Sequence, residues 1–204
     1  MNYPPAPWRL YGQSYVGVHR FPASEVPLSR LTTAARPVVV ARNAFAVTMW
    51  VDYQRGSVLE YREFLVGVLC RAGRRLCLTT VFIWVDNVAS RDGGRELWGI
   101  PKETAKFAFT HARDADLEMV TNTGEPAACG VFGEKLRLPF SIPVPGLLAQ
   151  DLGGSTGFVR FRSRCRLAFG TGALRTTLPE LDFMKNATRV MSVGLYDFHA
   201  RFGV

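Results

Sequence analysis

Apolar and polar residues alternate with a period of two along most of this chain, the rhythm of strands buried on one face. Segments 45–53, 61–70 and 76–86 carry Val, Phe, Leu and Thr at strand spacing, and Gln54-Arg55-Gly56-Ser57 supplies a turn between the first two. Shorter runs at 106–111, 117–122 and 137–142 read the same way. The alternation is cleanest over 157–169. Val159, Phe161, Ser163, Cys165, Leu167 and Phe169 fall on one face there, with Arg160, Arg162, Arg164 and Arg166 on the other. A long strand closes the chain at 188–202. Helical patterning is confined to two short stretches, 26–33 behind Ser24 and Glu25, and 179–186. With no βαβ rhythm, internal repeat or linker, the pattern predicts a single mainly β (β-rich α+β) domain over residues 1–204. Its expected form is a curved or closed antiparallel sheet with small helices at the edge.

Composition supports a packed core, since 48% of the 204 residues are hydrophobic and 14 are Phe. The formal charge of +8 raises nucleic acid as a partner. However, the 25 basic residues comprise only four lysines, hence 21 arginines, and these are dispersed with no basic tail or helix-turn-helix pattern. The expectation is a solvated basic surface and no nucleic-acid partner. The Arg160–Arg166 face leaves open an anionic ligand, against the plainer role of a charged strand face that resists edge pairing. The opening residues have neither a basic start nor an apolar run, and no stretch is long enough to cross a membrane as a helix, so a cytoplasmic protein without a membrane partner is expected. Four scattered cysteines (Cys70, Cys77, Cys129, Cys165) read as buried free thiols, and three scattered histidines signal no metal site. Gly153-Gly154-Ser155-Thr156-Gly157 satisfies G-x-S-x-G, but a strand follows it where a nucleophile elbow needs a helix, so it reads as a hairpin loop.

One segment carries candidate chemistry: Gly94-Arg95-Glu96-Leu97-Trp98-Gly99-Ile100-Pro101-Lys102. A chain that meets its need for positive charge with Arg has here placed a Lys behind an apolar run. Arg stays charged at any working pH, whereas Lys, with an ordinary pKa near ~10.4, loses its proton when desolvated and then attacks carbonyl carbon. Trp98, Ile100 and Pro101 are suited to line such a pocket.

The segment resembles the acetoacetate decarboxylase superfamily, in which Gly-Arg-Glu-Leu leads into Pro-Lys and that lysine forms a Schiff base. The resemblance extends to the Pro4-Pro5-Ala6-Pro7-Trp8 opening with Tyr11, to Tyr61-Arg62-Glu63 as the family's Tyr-x-Glu, and to the closing 192–198 stretch. It implies a curved antiparallel β-barrel and a cofactor-free lyase acting on a β-keto acid or other small oxo compound. Lys102 would be the nucleophile and Glu63 the general acid/base, with Tyr61 and Trp98 at the substrate. Family members often assemble into oligomers, so a homo-oligomer is among the implied partners. The chain also departs from the family pattern. Glu103 stands where the decarboxylase proper has a second lysine; on a strand it would face away from Lys102, leaving desolvation to act alone. Gln13 stands where a carboxylate-binding Arg is expected, and an acid expected over 46–48 is absent. Acetoacetate itself is therefore not the expected substrate. Arg42 or Arg95 could replace the lost cation, although Arg95 and Glu96 read more simply as a structural pair. A non-covalent cyclase, dehydratase or hydrolase of secondary metabolism on the same fold, and a non-catalytic ligand-binding module, stay open as alternatives.

Overall fold

The structure is a computed structural model and describes residues 2–204. In chain order the elements are β1 (Trp8–Pro22), β2 (Arg36–Pro37), β3 (Asn43–Tyr53), β4 (Tyr61–Ala72), β5 (Arg75–Val85), α1 (Val88–Trp98), β6 (Lys102–Thr104), β7 (Lys106–Thr110), β8 (Asp114–Val120), β9 (Pro126–Leu152), β10 (Ser155–Thr176) and β11 (Thr188–Phe202). The sheet runs β6-β5-β4-β3-β1-β11-β10-β9-β8-β7, and a bridge between Leu78 on β5 and Leu148 on β9 closes seven of these strands into a ring. The expected curved β-barrel with few short helices is therefore the observed architecture. Of the two helical stretches read from the sequence, 26–33 holds only a 3₁₀ turn at Leu28–Arg30, preceded by another at Ala23–Glu25, and 179–186 holds a 3₁₀ turn at Pro179–Met184.

Three differences from the sequence reading matter. First, one βαβ unit is present: β5 leads through α1 into β6, which pairs parallel to β5 with Ile83 opposite Lys102. Parallel neighbours need such a crossover, and this one carries the lysine. Second, β9 is 27 residues long and continues well beyond 137–142 on both sides. Third, the 157–169 alternation breaks. A bulge near Arg166 shifts the register, so Ala168 is buried and Phe169 is 40% exposed. The Gly153-Gly154 segment is a hairpin turn as expected, with both glycines at positive φ and Leu152 opposite Ser155.

Strand parity sends side chains into two cores. The larger takes Tyr15, Phe21, Trp50, Phe64 and Val66 on one face; the smaller takes Trp8, Leu10, Val51, Ile83, Trp98, Ile100 and Phe198 on the other. Cys70, Cys77 and Cys165 are buried free thiols, whereas Cys129 is exposed. No helix among the described residues is long and apolar enough to cross a membrane.

Candidate active site

Of the four lysines Lys102 alone is buried, at 3% exposure. Its position follows from α1 and the turn after it. Asn87 caps the helix by accepting from the Ser90 amide at 2.9 Å, and Gly99 ends it in the left-handed conformation at φ 65°. A side chain could not replace Gly99, because a Cβ would lie 1.8 Å from the Asp151 carbonyl oxygen. Ile100 then turns the chain back, its amide bonded to the Gly94 carbonyl at 3.0 Å. Arg95 fixes the strand that follows: its Nε donates to the Lys102 carbonyl at 2.6 Å and its guanidinium pairs with Glu103. Arg95 is thus a structural residue, but its partner is Glu103; Glu96 instead accepts from the Tyr3 hydroxyl at 2.7 Å. As strand alternation requires, Glu103 lies on the solvent side.

The lysine stem runs along Gly94, where a Cβ would stand 2.7 Å from Lys102 Cδ. At its end Nζ donates to Glu63 Oε2 at 2.8 Å, Ser90 Oγ at 2.9 Å and Tyr61 OH at 3.3 Å. All three donors of an ammonium are used. Glu63 Oε1 accepts from Tyr53 OH at 3.2 Å, and the Tyr53 and Tyr61 rings pack at 4.4 Å. Tyr61 and Glu63 reach the same point because they are two apart on β4. The Tyr61 and Trp8 ring centroids lie 4.9 and 6.0 Å from Nζ.

The electrostatics reverse part of the expectation. Burial works to lower the Lys102 pKa, but the Glu63 carboxylate and the Tyr61 hydroxyl outweigh it and hold the ammonium above its ordinary value. Desolvation does not act alone, and the resting lysine is charged. Burial pushes the Tyr61 phenol up to about 12 against the opposing pull of Lys102, and raises Tyr53 well above its usual range with help from Glu63.

The residues expected around the substrate are dispersed. Tyr61 is in the site. Trp98 packs edge-on against Trp8 and Phe202, each at 4.7 Å, as part of the wall behind Trp8. Gln13 pairs with Asp52, whereas Val51 pairs with Glu63, so parity turns Gln13 to the opposite face. Its neighbour Ser14, opposite Val51, is on the Glu63 face, 1% exposed, with no partner for Oγ. Arg42 sits in an exposed turn at φ 65°. Neither Gln13, Arg42 nor Arg95 brings charge to the lysine. Ser90, Tyr53 and Ser14 were not singled out from the sequence, and Trp8 entered only as the end of the opening motif. The Asn87 cap before a Gly-containing run was the available signal for Ser90. Neither the cavity lined by Tyr15, Trp50 and Phe132 nor the groove lined by Arg9, Arg162 and Arg201 includes Lys102.

A sequence profile of the family "Acetoacetate decarboxylase (ADC)" matches residues 31–149, more than half the chain and a span that includes Glu63 and Lys102. The chain belongs to the acetoacetate decarboxylase family. No curated protein sequence matches it. Among solved structures it is similar to an acetoacetate decarboxylase-like enzyme from Sphingomonas wittichii RW1 at TM-score 0.72 and 13% identity, covering 99% of this chain and 92% of that one. Acetoacetate decarboxylase from Legionella pneumophila aligns at 0.69 and 16%, covering 98% and 86%. The enduracididine biosynthesis enzyme MppR, solved in complex with pyruvate, aligns at 0.70 and 14%, covering 98% and 90%. At such identities the likeness establishes the fold, and these neighbours are enzymes.

Proposed function

We propose that this protein is a cofactor-free lyase that binds a small oxo compound covalently through Lys102, with Glu63 as its proton shuttle. The observation that carries this reading is the one buried lysine of four, held 2.8 Å from a buried carboxylate. Because the resting lysine is charged, the first step is proton transfer from Nζ to Glu63, leaving a neutral amine. The amine attacks the substrate carbonyl, and the carbinolamine loses water as Glu63 returns the proton, leaving a protonated imine. That cation accepts the electron pair of the adjacent C–C bond, so CO₂ or a carbonyl fragment departs and an enamine remains. Protonation of the enamine at carbon, then hydrolysis of the imine, releases product and the free lysine.

The aromatic lining, the absence of a second cation from Gln13, Arg42 or Arg95, and the unpartnered Ser14 hydroxyl favour a substrate with a polar but largely uncharged body. A small 2-oxo compound is supported by MppR, which was solved with pyruvate on the same fold, although pyruvate itself carries a carboxylate that none of Gln13, Arg42 and Arg95 meets with a second cation. A second reading keeps Lys102 as an ammonium that polarises a carbonyl without a covalent step. Its support is the full set of three hydrogen bonds to Nζ.

Incubation with 2-oxo acids, 3-oxo acids and neutral ketones or aldehydes, followed by borohydride reduction and peptide mass mapping, separates the two. A reduced adduct on Lys102 is expected. Turnover that survives Lys102→Arg would exclude the covalent route, because Arg retains the charge and cannot form the imine.

A further inference from the structure

We propose that the outer face of β1, β11 and β10 is a binding site for a diphosphate-bearing ligand. The register brings Arg9 opposite Arg201 and Arg201 opposite Arg162, so three arginines form one row across three adjacent strands. Two residues along, Tyr11, His199 and Arg164 form the next row on the same face. Strands lie about 4.8 Å apart and successive same-face residues about 6.6 Å apart, so the four guanidinium stems rise from one compact patch. All four arginines are exposed, and among the described residues no carboxylate lies within the 4.0 Å of an ion pair from any of them.

Like charges placed directly opposite across strands work against the sheet, and one arginine per strand would protect this surface equally well. A row of three without an acid gains a purpose if an anion bridges it. Arginine is the suitable cation, since its planar fork offers paired donors to phosphate oxygens. The side chains line an open groove of about 390 Å³, a size suited to a small molecule. The Tyr11 and His199 rings pack edge to face at 4.8 Å within it, as an apolar neighbour for the organic part of a ligand.

The patch is bounded. Beyond Arg164, Arg166 is neutralised by Asp197. Beyond Arg162, Arg160 is also exposed and without an ion pair among the described residues, but β11 has ended at Phe202 and side-chain-free Gly203 lies beside it, its amide bonded to the Arg160 carbonyl. The rows across three strands therefore do not continue as the extended track that a nucleic-acid strand needs. Two phosphate groups, each between two guanidiniums, match its extent. The site is separate from Lys102, because Trp8 and Leu10 alternate with Arg9 and Tyr11 and face the other core.

Calorimetric titration of the full chain with inorganic pyrophosphate, orthophosphate and sulfate tests the assignment. Pyrophosphate should bind at least about tenfold more tightly than the other two anions. Arg201→Ser and, separately, Arg162→Ser should each weaken it by about tenfold or more. Thermal unfolding without ligand should not fall in either variant, and borohydride trapping at Lys102 should be unchanged. Equal weak binding of the three anions, or pyrophosphate affinity that persists in Arg201→Ser, would overturn the assignment. So would a single-stranded oligonucleotide that outcompetes pyrophosphate with a steep salt dependence.

Discussion

Two concentrations of positive charge lie on opposite faces of this sheet and are managed in opposite ways. Lys102 is withdrawn from water, and each donor of its ammonium meets an oxygen of Glu63, Ser90 or Tyr61. The Arg9, Arg201 and Arg162 row is unpaired, yet water carries its cost. Burial, not proximity alone, decides what a charge demands of its neighbours. In the interior an unmatched charge is worth several kcal/mol, whereas at the surface the same mismatch is nearly free.

The largest effect should come from breaking the buried pair. Lys102→Met strands the Glu63 carboxylate and should cost about 3–5 kcal/mol in urea unfolding. The double variant Lys102→Met with Glu63→Leu should recover most of that loss; no recovery would mean the pair is not coupled as described. The pair also sets a pH signature. The folded lysine pKa is raised, so its contribution is complete below the unfolded value of about 10.4 and is lost as pH rises through the higher folded value. The stability difference between wild type and the double variant should therefore be flat from neutral pH up to about 10.4 and shrink above it.

The other core offers an independent check on the same rule. His19 is buried at 5% exposure, and burial, helped by the Arg189 charge, pushes its pKa down to about 4. Between about pH 6.5 and pH 4 the unfolded chain binds a proton that the folded one refuses, so stability should fall with pH by up to about 3 kcal/mol. In His19→Gln the acid limb of the pH–stability curve should be flatter. Arg95→Ala comes next. It removes the bond to the Lys102 carbonyl and the pairing with Glu103 at a half-exposed position, for about 1–2 kcal/mol. It should also slow trapping at Lys102, while Arg95→Lys restores stability incompletely because it lacks the fork. The smallest effect belongs to the exposed Arg166–Asp197 pair, where Asp197→Asn should change stability by about 0–1 kcal/mol. A loss as large as that of Lys102→Met would erase the contrast between the two faces.

Much of the fold was legible because β3 alternates from Asn43 to Trp50, and because β4, β5 and β11 are runs rich in β-branched and aromatic residues bounded by turns. β1 was missed, although its burial alternates, because Gly12, Gln13 and Ser14 interrupt the apolar rhythm where the strand bulges against β11. The length of β9 was hidden by Pro139, Pro143 and Pro145, which usually end strands. They are tolerated because β9 pairs β10 there while its other edge meets β8 only up to Gly133 and β5 at Leu148. α1 escaped notice because Gly93 and Gly94 weaken a helical pattern. Both are required by packing, Gly93 against Trp8 and Tyr3 and Gly94 against the lysine stem.

At the site, Lys102, Glu63 and Tyr61 were readable from the motif, and the structure brings the three together. Gln13 was not, since a one-residue change of register turns a strand residue to the other face, and Ser14 is the one that lies on the Glu63 face, across Val51. The charge state of Lys102 was also beyond the sequence. It depends on Glu63 coming within 2.8 Å from another strand, 39 positions away.

The central claim is that a lysine held charged at rest is made nucleophilic by handing its proton to Glu63. The rate of borohydride-trapped adduct formation on Lys102, followed by peptide mass mapping from neutral to alkaline pH in wild type and Glu63→Gln, measures that transfer directly. The expected result is a Lys102 adduct whose formation at neutral pH falls by about a hundredfold in Glu63→Gln and recovers as alkali removes the proton. An adduct on Lys106, Lys135 or Lys185 in place of Lys102, or a neutral-pH rate unaffected by Glu63→Gln, would contradict it.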